Sequence, residues 1–114
     1  MEQKNVLITG ASRGIGKSAA LLFASRGYHV FLNCRTSVDE LQKLKDTIET
    51  LYGSTCDILL ADISRSDEVT AMFQKIYHSW DALDVLINNA GISHIGLLLS
   101  LIHISEPTRL ALIS

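Results

Sequence analysis

The sequence predicts an α/β fold, the N-terminal part of a doubly wound parallel sheet with about four strands and three helices. Three observations carry that expectation. Short apolar runs at residues 5–9, 28–34, 56–62 and 84–91 alternate with segments whose apolar residues recur at helical spacing. The first of these, 5–9, is a short apolar run that ends in a glycine-rich turn, as a buried parallel strand would. Strands joined through helices of this length require crossover connections, which are right-handed and place helices on both sides of a parallel sheet.

Each element has its own local signal. "NVLIT", 5–9, ends in a glycine-rich turn, and from Gly14 the positions Ile15, Ala19, Leu22 and Phe23 define a first helix that stops at Gly27. "YHVFLNC", 28–34, is a second strand rich in β-branched and aromatic residues. After Ser37, the positions Val38, Leu41, Leu44, Ile48 and Leu51 form one face of a second helix that ends near Gly53. "CDILLAD", 56–62, is a third strand. Ser66 is the expected N-cap of a third helix with the stripe Val69, Met72, Phe73, Ile76 and Trp80. "DVLINNAG", 84–91, supplies a fourth strand and its exit turn.

With 114 residues and 47% hydrophobic content, the chain is one small domain or part of one. Ten basic and twelve acidic side chains give a net charge of -2 without blocks of like charge, so no nucleic-acid partner is expected. Cys34 and Cys56 lie within strand-like segments, as small buried hydrophobes of a reducing compartment do. His29, His78, His94 and His103 show no metal-ligand spacing with them, so no metal site is expected. The N-terminal apolar run is too short for a signal peptide, and a cytoplasmic location follows as the expectation.

"ITGASRGIGKS", Ile8 to Ser18, admits two phosphate-binding readings. The phosphate loop of ATP- and GTP-hydrolysing proteins needs a glycine five positions before Gly16-Lys17-Ser18, but that position is Ala11. "ILLAD", ending at Asp62, gives this remote alternative its only further support. The other reading takes Gly10, Gly14 and Gly16 as a dinucleotide turn between strand one and helix one. Backbone can then approach a pyrophosphate closely, and the helix N-H groups and dipole face its charge.

Three motifs then fall in order: "TGASRGIG" at 9–16, Asp62-Ile63 after the third run, and "NNAG" at 88–91. In these, residues 4 to about 98 resemble the short-chain dehydrogenase/reductase family, closest to its 3-oxoacyl-(acyl-carrier-protein) reductase branch. The resemblance implies a Rossmann-type sheet and a nicotinamide cofactor. It assigns Gly10, Ser12, Arg13, Gly14, Ile15 and Gly16 to the pyrophosphate and adenosine ribose, and Asp62 and Ile63 to the adenine. Asn89, Ala90 and Gly91 would border the ribose, while Asn88 would tie the central strands. "NCRTS", at the end of strand two, holds no carboxylate to favour a free ribose 2'-hydroxyl. Arg35, followed by Thr36, can converge with Arg13 on a 2'-phosphate, so NADP is expected over NAD.

The same resemblance requires a serine and a tyrosine followed four positions later by lysine. Tyr28, Tyr52 and Tyr77 are followed at that distance by Leu32, Cys56 and Asp81, so the chain contains no assignable catalytic residue. From Leu99 the run "LSLIHISEPTRLALIS" back-translates into bases that resemble a transposase-type sequencing-library adapter. Residues 1–98 are therefore expected to be a partial NAD(P)-binding domain and residues 99–114 a non-native tail. The apolar part of that tail is too short to span a membrane. The expected parent is a reductase, a homo-tetramer acting on a 3-oxoacyl thioester on its carrier or on a similar carbonyl substrate. A nucleotide-binding module without chemistry is the alternative. In the family's strand order, Val85 to Ile87 would form an open sheet edge in this chain.

Overall fold

The chain runs β1 (Asn5–Thr9), α1 (Gly14–Ser25), β2 (His29–Cys34), α2 (Val38–Tyr52), β3 (Cys56–Leu60), α3 (Ser66–Ser79), β4 (Val85–Asn88) and β5 (Ala111–Ile113). These elements come from a computed structural model that describes residues 3–12, 14–90, 96 and 111–113. All five strands pair in parallel, in the order β3-β2-β1-β4-β5. The chain moves outward from β1 through β2 to β3 and then returns to the opposite side of β1. That reversal opens a crevice at the carboxyl ends of β1 and β4, where such sheets hold ligands.

Alternation along the strands feeds two cores. Val6 and Ile8 of β1, with Val30, Leu32 and Cys34 of β2, join Ala20 and Ala24 of α1 and Leu41, Leu44 and Ile48 of α2. Leu7, Phe31, Leu59 and Leu86 face the other way and join Val69, Met72, Phe73 and Ile76 of α3. Complete burial of one such aliphatic side chain contributes about 1.5–3 kcal/mol, so both faces hold the sheet.

Several helix positions depart from the expected pattern. Ile15 and Leu22 are exposed, because α1 buries Gly16, Ala20 and Ala24 instead. Those small residues let the helix axis lie close to the sheet, and the larger side chains turn to its flanks. Val38 and Leu51 overhang the first and last turns of α2 and are also exposed. The N-cap of α3 is Arg65, not Ser66, and its side chain makes no capping bond. Glu68 in the first turn instead accepts from the backbone N-H of Asp62 at 2.9 Å. β3 ends at Leu60, two residues earlier than expected, although Ala61 N-H still donates to the Cys34 carbonyl at 3.1 Å. Gly53 closes α2 in the left-handed conformation expected of a helix stop.

The edge expected to be open is paired. Val85, Leu86 and Ile87 lie in register with Ala111, Leu112 and Ile113. An exposed strand edge presents unsatisfied N-H and C=O groups that take up an available extended segment, and β5 fills that role.

At the amino end of the sheet a polar clasp joins β1 to the approach of β4. Asn5 Nδ2 donates to the Ala82 carbonyl at 2.9 Å, and Asp84 N-H donates to Asn5 Oδ1 at 2.8 Å. Asn5 N-H in turn donates to Asp84 Oδ2 at 3.0 Å. Both residues are buried, so these bonds offset a desolvation that would otherwise disfavour folding. Nearby, buried His29 sets Nε2 2.9 Å from Asp57 Oδ2, contacts Thr55 Oγ1 and lies against Phe31 and Trp80. Among the described residues, no three His, Cys, Asp or Glu side chains cluster as metal ligands, and no helix is long and apolar enough to cross a membrane.

Two stability predictions follow from this packing. Asn5→Leu preserves bulk but removes the side-chain bonds, and is expected to destabilise the fold by about 2–4 kcal/mol in urea denaturation. Burial pushes the Cys56 thiol from its ordinary 9.0 up to about 12. The unfolded thiol ionises first, so its contribution to stability is present below pH 9.0 and declines as pH rises toward 12. Denaturation midpoints measured across that window should fall less steeply in Cys56→Ala.

Candidate functional site

The crevice is built on backbone contact. Gly10, with φ +62°, takes the chain out of β1 beside the exit of β4. A Cβ there would lie 3.3 Å from both the N and Cα of Ala90. At Gly16, in the first turn of α1, a Cβ would lie 2.7 Å from the Gly10 carbonyl oxygen and 2.8 Å from Asn89 Nδ2. Only glycine lets the helix start this close. Gly14 has a different requirement, since its φ is +64° but open space surrounds it.

Thr9 connects the two exit loops. Its hydroxyl donates to Asn88 Oδ1 at 2.8 Å and accepts from the N-H groups of Asn89 and Ala90 at 3.1 and 3.3 Å. Asn89 Nδ2 donates to the Gly10 carbonyl at 3.0 Å, which closes the ring. Asn88 thus ties the central strands as expected, while Asn89 holds the glycine turn. On the other side, Ala11 N-H donates to the Asn33 carbonyl at 2.9 Å.

Between these walls lies a cleft of about 430 Å³. Of the residues expected at a site, Gly10, Ser12, Arg35, Thr36, Asp62, Ile63, Asn89 and Ala90 line it. Gly14, Ile15 and Gly16 begin α1 and do not line it: Gly16 is buried beneath the turn, and the Ile15 side chain is 76% exposed. Arg13 and Gly91 lie outside the described residues. Asn33, Cys34, Ser37 and Ala61 also line the cleft and were not anticipated. The one available signal was the amide at position 33 inside an otherwise apolar run.

The cleft has a distinct charge arrangement. Ser64 donates its hydroxyl to Asp62 Oδ1 at 2.6 Å and its N-H to the same oxygen at 3.0 Å. These bonds hold the Asp62 carboxyl below its ordinary range, with lesser help from the charges of Arg35 and Arg65. Asp62 and Arg35, of opposite charge, therefore line the same cleft. Burial raises the Cys34 thiol, keeping it neutral beside them. α1 carries no acidic residue in its first turn, whereas α2 has Asp39 and Glu40 and α3 has Asp67 and Glu68. The positive end of the α1 dipole is thus free of its own counter-charge where it meets the turn.

The family profile of short chain dehydrogenases matches residues 4–105. The chain belongs to the short-chain dehydrogenase family. It is 40% identical over 96 residues to the 3-oxoacyl-[acyl-carrier-protein] reductase FabG of Staphylococcus aureus, covering 84% of this chain and 39% of that protein. Against the uncharacterized oxidoreductase YgfF of Escherichia coli, identity is 43% over 86 residues, covering 75% of this chain and 34% of the relative. The chain therefore spans about two-fifths or less of the length of these relatives. A metagenomic short-chain oxidoreductase solved in complex with NADP superimposes with a TM-score of 0.80 at 27% identity, covering 88% of this chain and 54% of that one. The family's Rossmann fold thus applies here, with sequence similarity to FabG.

The two glycines predict different costs. Gly16→Ala drives a methyl into backbone and should destabilise by about 2–3 kcal/mol. Gly14→Ala meets only left-handed strain and should cost about 1 kcal/mol. Denaturant midpoints of the two variants test this order.

Proposed function

We propose that the chain is the cofactor-binding half of an NADP-dependent short-chain reductase whose whole protein reduces a 3-oxoacyl thioester or a similar carbonyl. The observation that carries the cofactor choice is the end of β2, where Arg35 and Thr36 line the cleft and residues 33–37 contain no carboxylate. A carboxylate there would repel a ribose 2'-phosphate, whereas a guanidinium binds it through charge-assisted hydrogen bonds. NADP in the solved metagenomic oxidoreductase supports the nicotinamide assignment.

The described residues suit the adenosine half of such a cofactor. The α1 amino end and the Gly10 turn would face the pyrophosphate, joined there by Ser12 and, by family resemblance, Arg13. Asp62 and Ile63 would face the adenine. Asn89 and Ala90, with Gly91 following, would border the ribose. When bound, the nicotinamide supplies or receives the hydride. The chain's own residues bind and orient the nucleotide, and the family's serine and Tyr-x-x-x-Lys pair would come from sequence beyond residue 98. On this reading residues 99–114 are not native to the reductase. The whole protein is a cytoplasmic homo-tetramer whose substrate is presented on an acyl carrier or free.

The second reading is that this chain binds nucleotide as a module without performing chemistry. Both readings share the same binding test. Titration followed by NADPH fluorescence, with NADH and 2',5'-ADP as competitors, should give tighter binding of the two 2'-phosphorylated ligands. Arg35→Ala should remove about 1.5–3 kcal/mol from NADPH binding and leave NADH little changed. Equal affinity for NADPH and NADH in the parent sequence would refute the NADP assignment.

A further inference from the structure

Asn33 belongs to none of the family motifs, yet it touches both flanks of the cleft. It is buried in β2 after the apolar residues Val30, Phe31 and Leu32. An amide at such a position is costly unless bonded. Asn33 Nδ2 donates to the Leu59 carbonyl at 2.9 Å and to the Ala61 carbonyl at 3.3 Å. Its backbone carbonyl accepts from Ala11 in the glycine turn.

We propose that Asn33 is a positioning residue of the cofactor cleft. Its side chain fixes the exit of β3 against β2, so that the Ala61–Ile63 wall keeps one spacing from the glycine turn. The β2-β3 pairing ends at Cys34 and Leu60, and β3 is the outer strand of the sheet. Among the described residues, the chain beyond Leu60 has no sheet neighbour on its outer side. The Asn33 amide extends the bonding to Ala61 and acts together with the Ala61 N-H bond to Cys34 and the Glu68 bond to Asp62 N-H. An aliphatic residue would fill the same space and leave that exit held by fewer bonds. The role rests on reading the cleft as a dinucleotide site, in which Asp62 and Ile63 meet the adenine and the glycine turn meets the pyrophosphate.

Asn33→Leu and Asn33→Asp test the role in the full chain, with NADPH and 2',5'-ADP dissociation constants measured beside thermal unfolding. Asn33→Leu should retain a cooperative melt and bind NADPH about tenfold more weakly, because two donated bonds are lost. In Asn33→Asp a buried carboxylate would face two carbonyl oxygens, and both burial and repulsion raise its pKa. Above that pKa, binding should be weak. Below it, the protonated carboxyl can donate again, so affinity should recover as pH falls. Asp62 and Arg35 are common to both proteins, so their effects are removed by comparison with the parent sequence at each pH.

A cooperatively folded Asn33→Leu with unchanged NADPH affinity would overturn the role. If that variant does not melt cooperatively, the Asn33→Asp series decides alone. Recovery at low pH supports positioning, whereas affinity that follows the parent's pH profile overturns it. Failure of the parent sequence itself to bind either ligand would reject the dinucleotide reading, and the positioning role with it.

Discussion

The close approach of three backbone segments at Gly16 is the constraint on which the remaining geometry depends. The start of α1, the turn at Gly10 and the loop carrying Asn89 meet where there is no room for a methyl group. That contact brings the helix amino end to the mouth of the crevice. It also explains why α1 buries a stripe of small residues, since a helix anchored so near the sheet cannot seat Ile15 or Leu22 beneath it. Packing and site geometry therefore have one cause.

Polar bonds secure both ends of the β1-β4 pair, with different consequences. At the amino end, Asn5 and Asp84 form a buried clasp whose effect is stability. At the carboxyl end, Thr9, Asn88 and Asn89 form a second network that borders the cleft and leaves its mouth open to ligand. Between them lie Val6, Leu7 and Ile8, which supply apolar contact to both helix layers. A packed apolar centre thus ends in a polar opening at the carboxyl end of the pair.

The electrostatic character of the cleft arises from local turns. Ser64 holds the Asp62 carboxyl below its ordinary range through two hydrogen bonds, and Glu68 fixes the Asp62 backbone from the first turn of α3. Arg35 follows directly on the last residue of β2, so its charge is delivered by the strand end itself. Arg35 and Asp62 thus bring opposite charges to one cleft, and the Arg35 charge contributes to lowering the Asp62 carboxyl.

Element order, the glycine turn, the strand-end aspartate and the paired asparagines were legible in the chain because each has a local cause: periodicity, a required φ, or a short motif. The same local logic placed Gly53 at a helix stop, whereas the contact residues, most of which line one cleft, were assigned by the family resemblance. It failed where the cause was a distant partner. Which stripe of α1 is buried depends on the contact of Gly16 with Gly10 and Asn89. Asn5 and Asp84 are 79 positions apart, so no window of sequence shows that they clasp. Asn33 was visible as an odd amide in an apolar run, but its partners at Leu59 and Ala61 exist only once β2 and β3 pair. The partner of the β4 edge was likewise a tertiary outcome, since backbone pairing with residues 111–113 requires no side-chain motif. The sequence by itself determined the elements and the chemistry at their ends; only the folded chain decided faces, partners and spacing, because those arise from contacts between residues far apart in sequence.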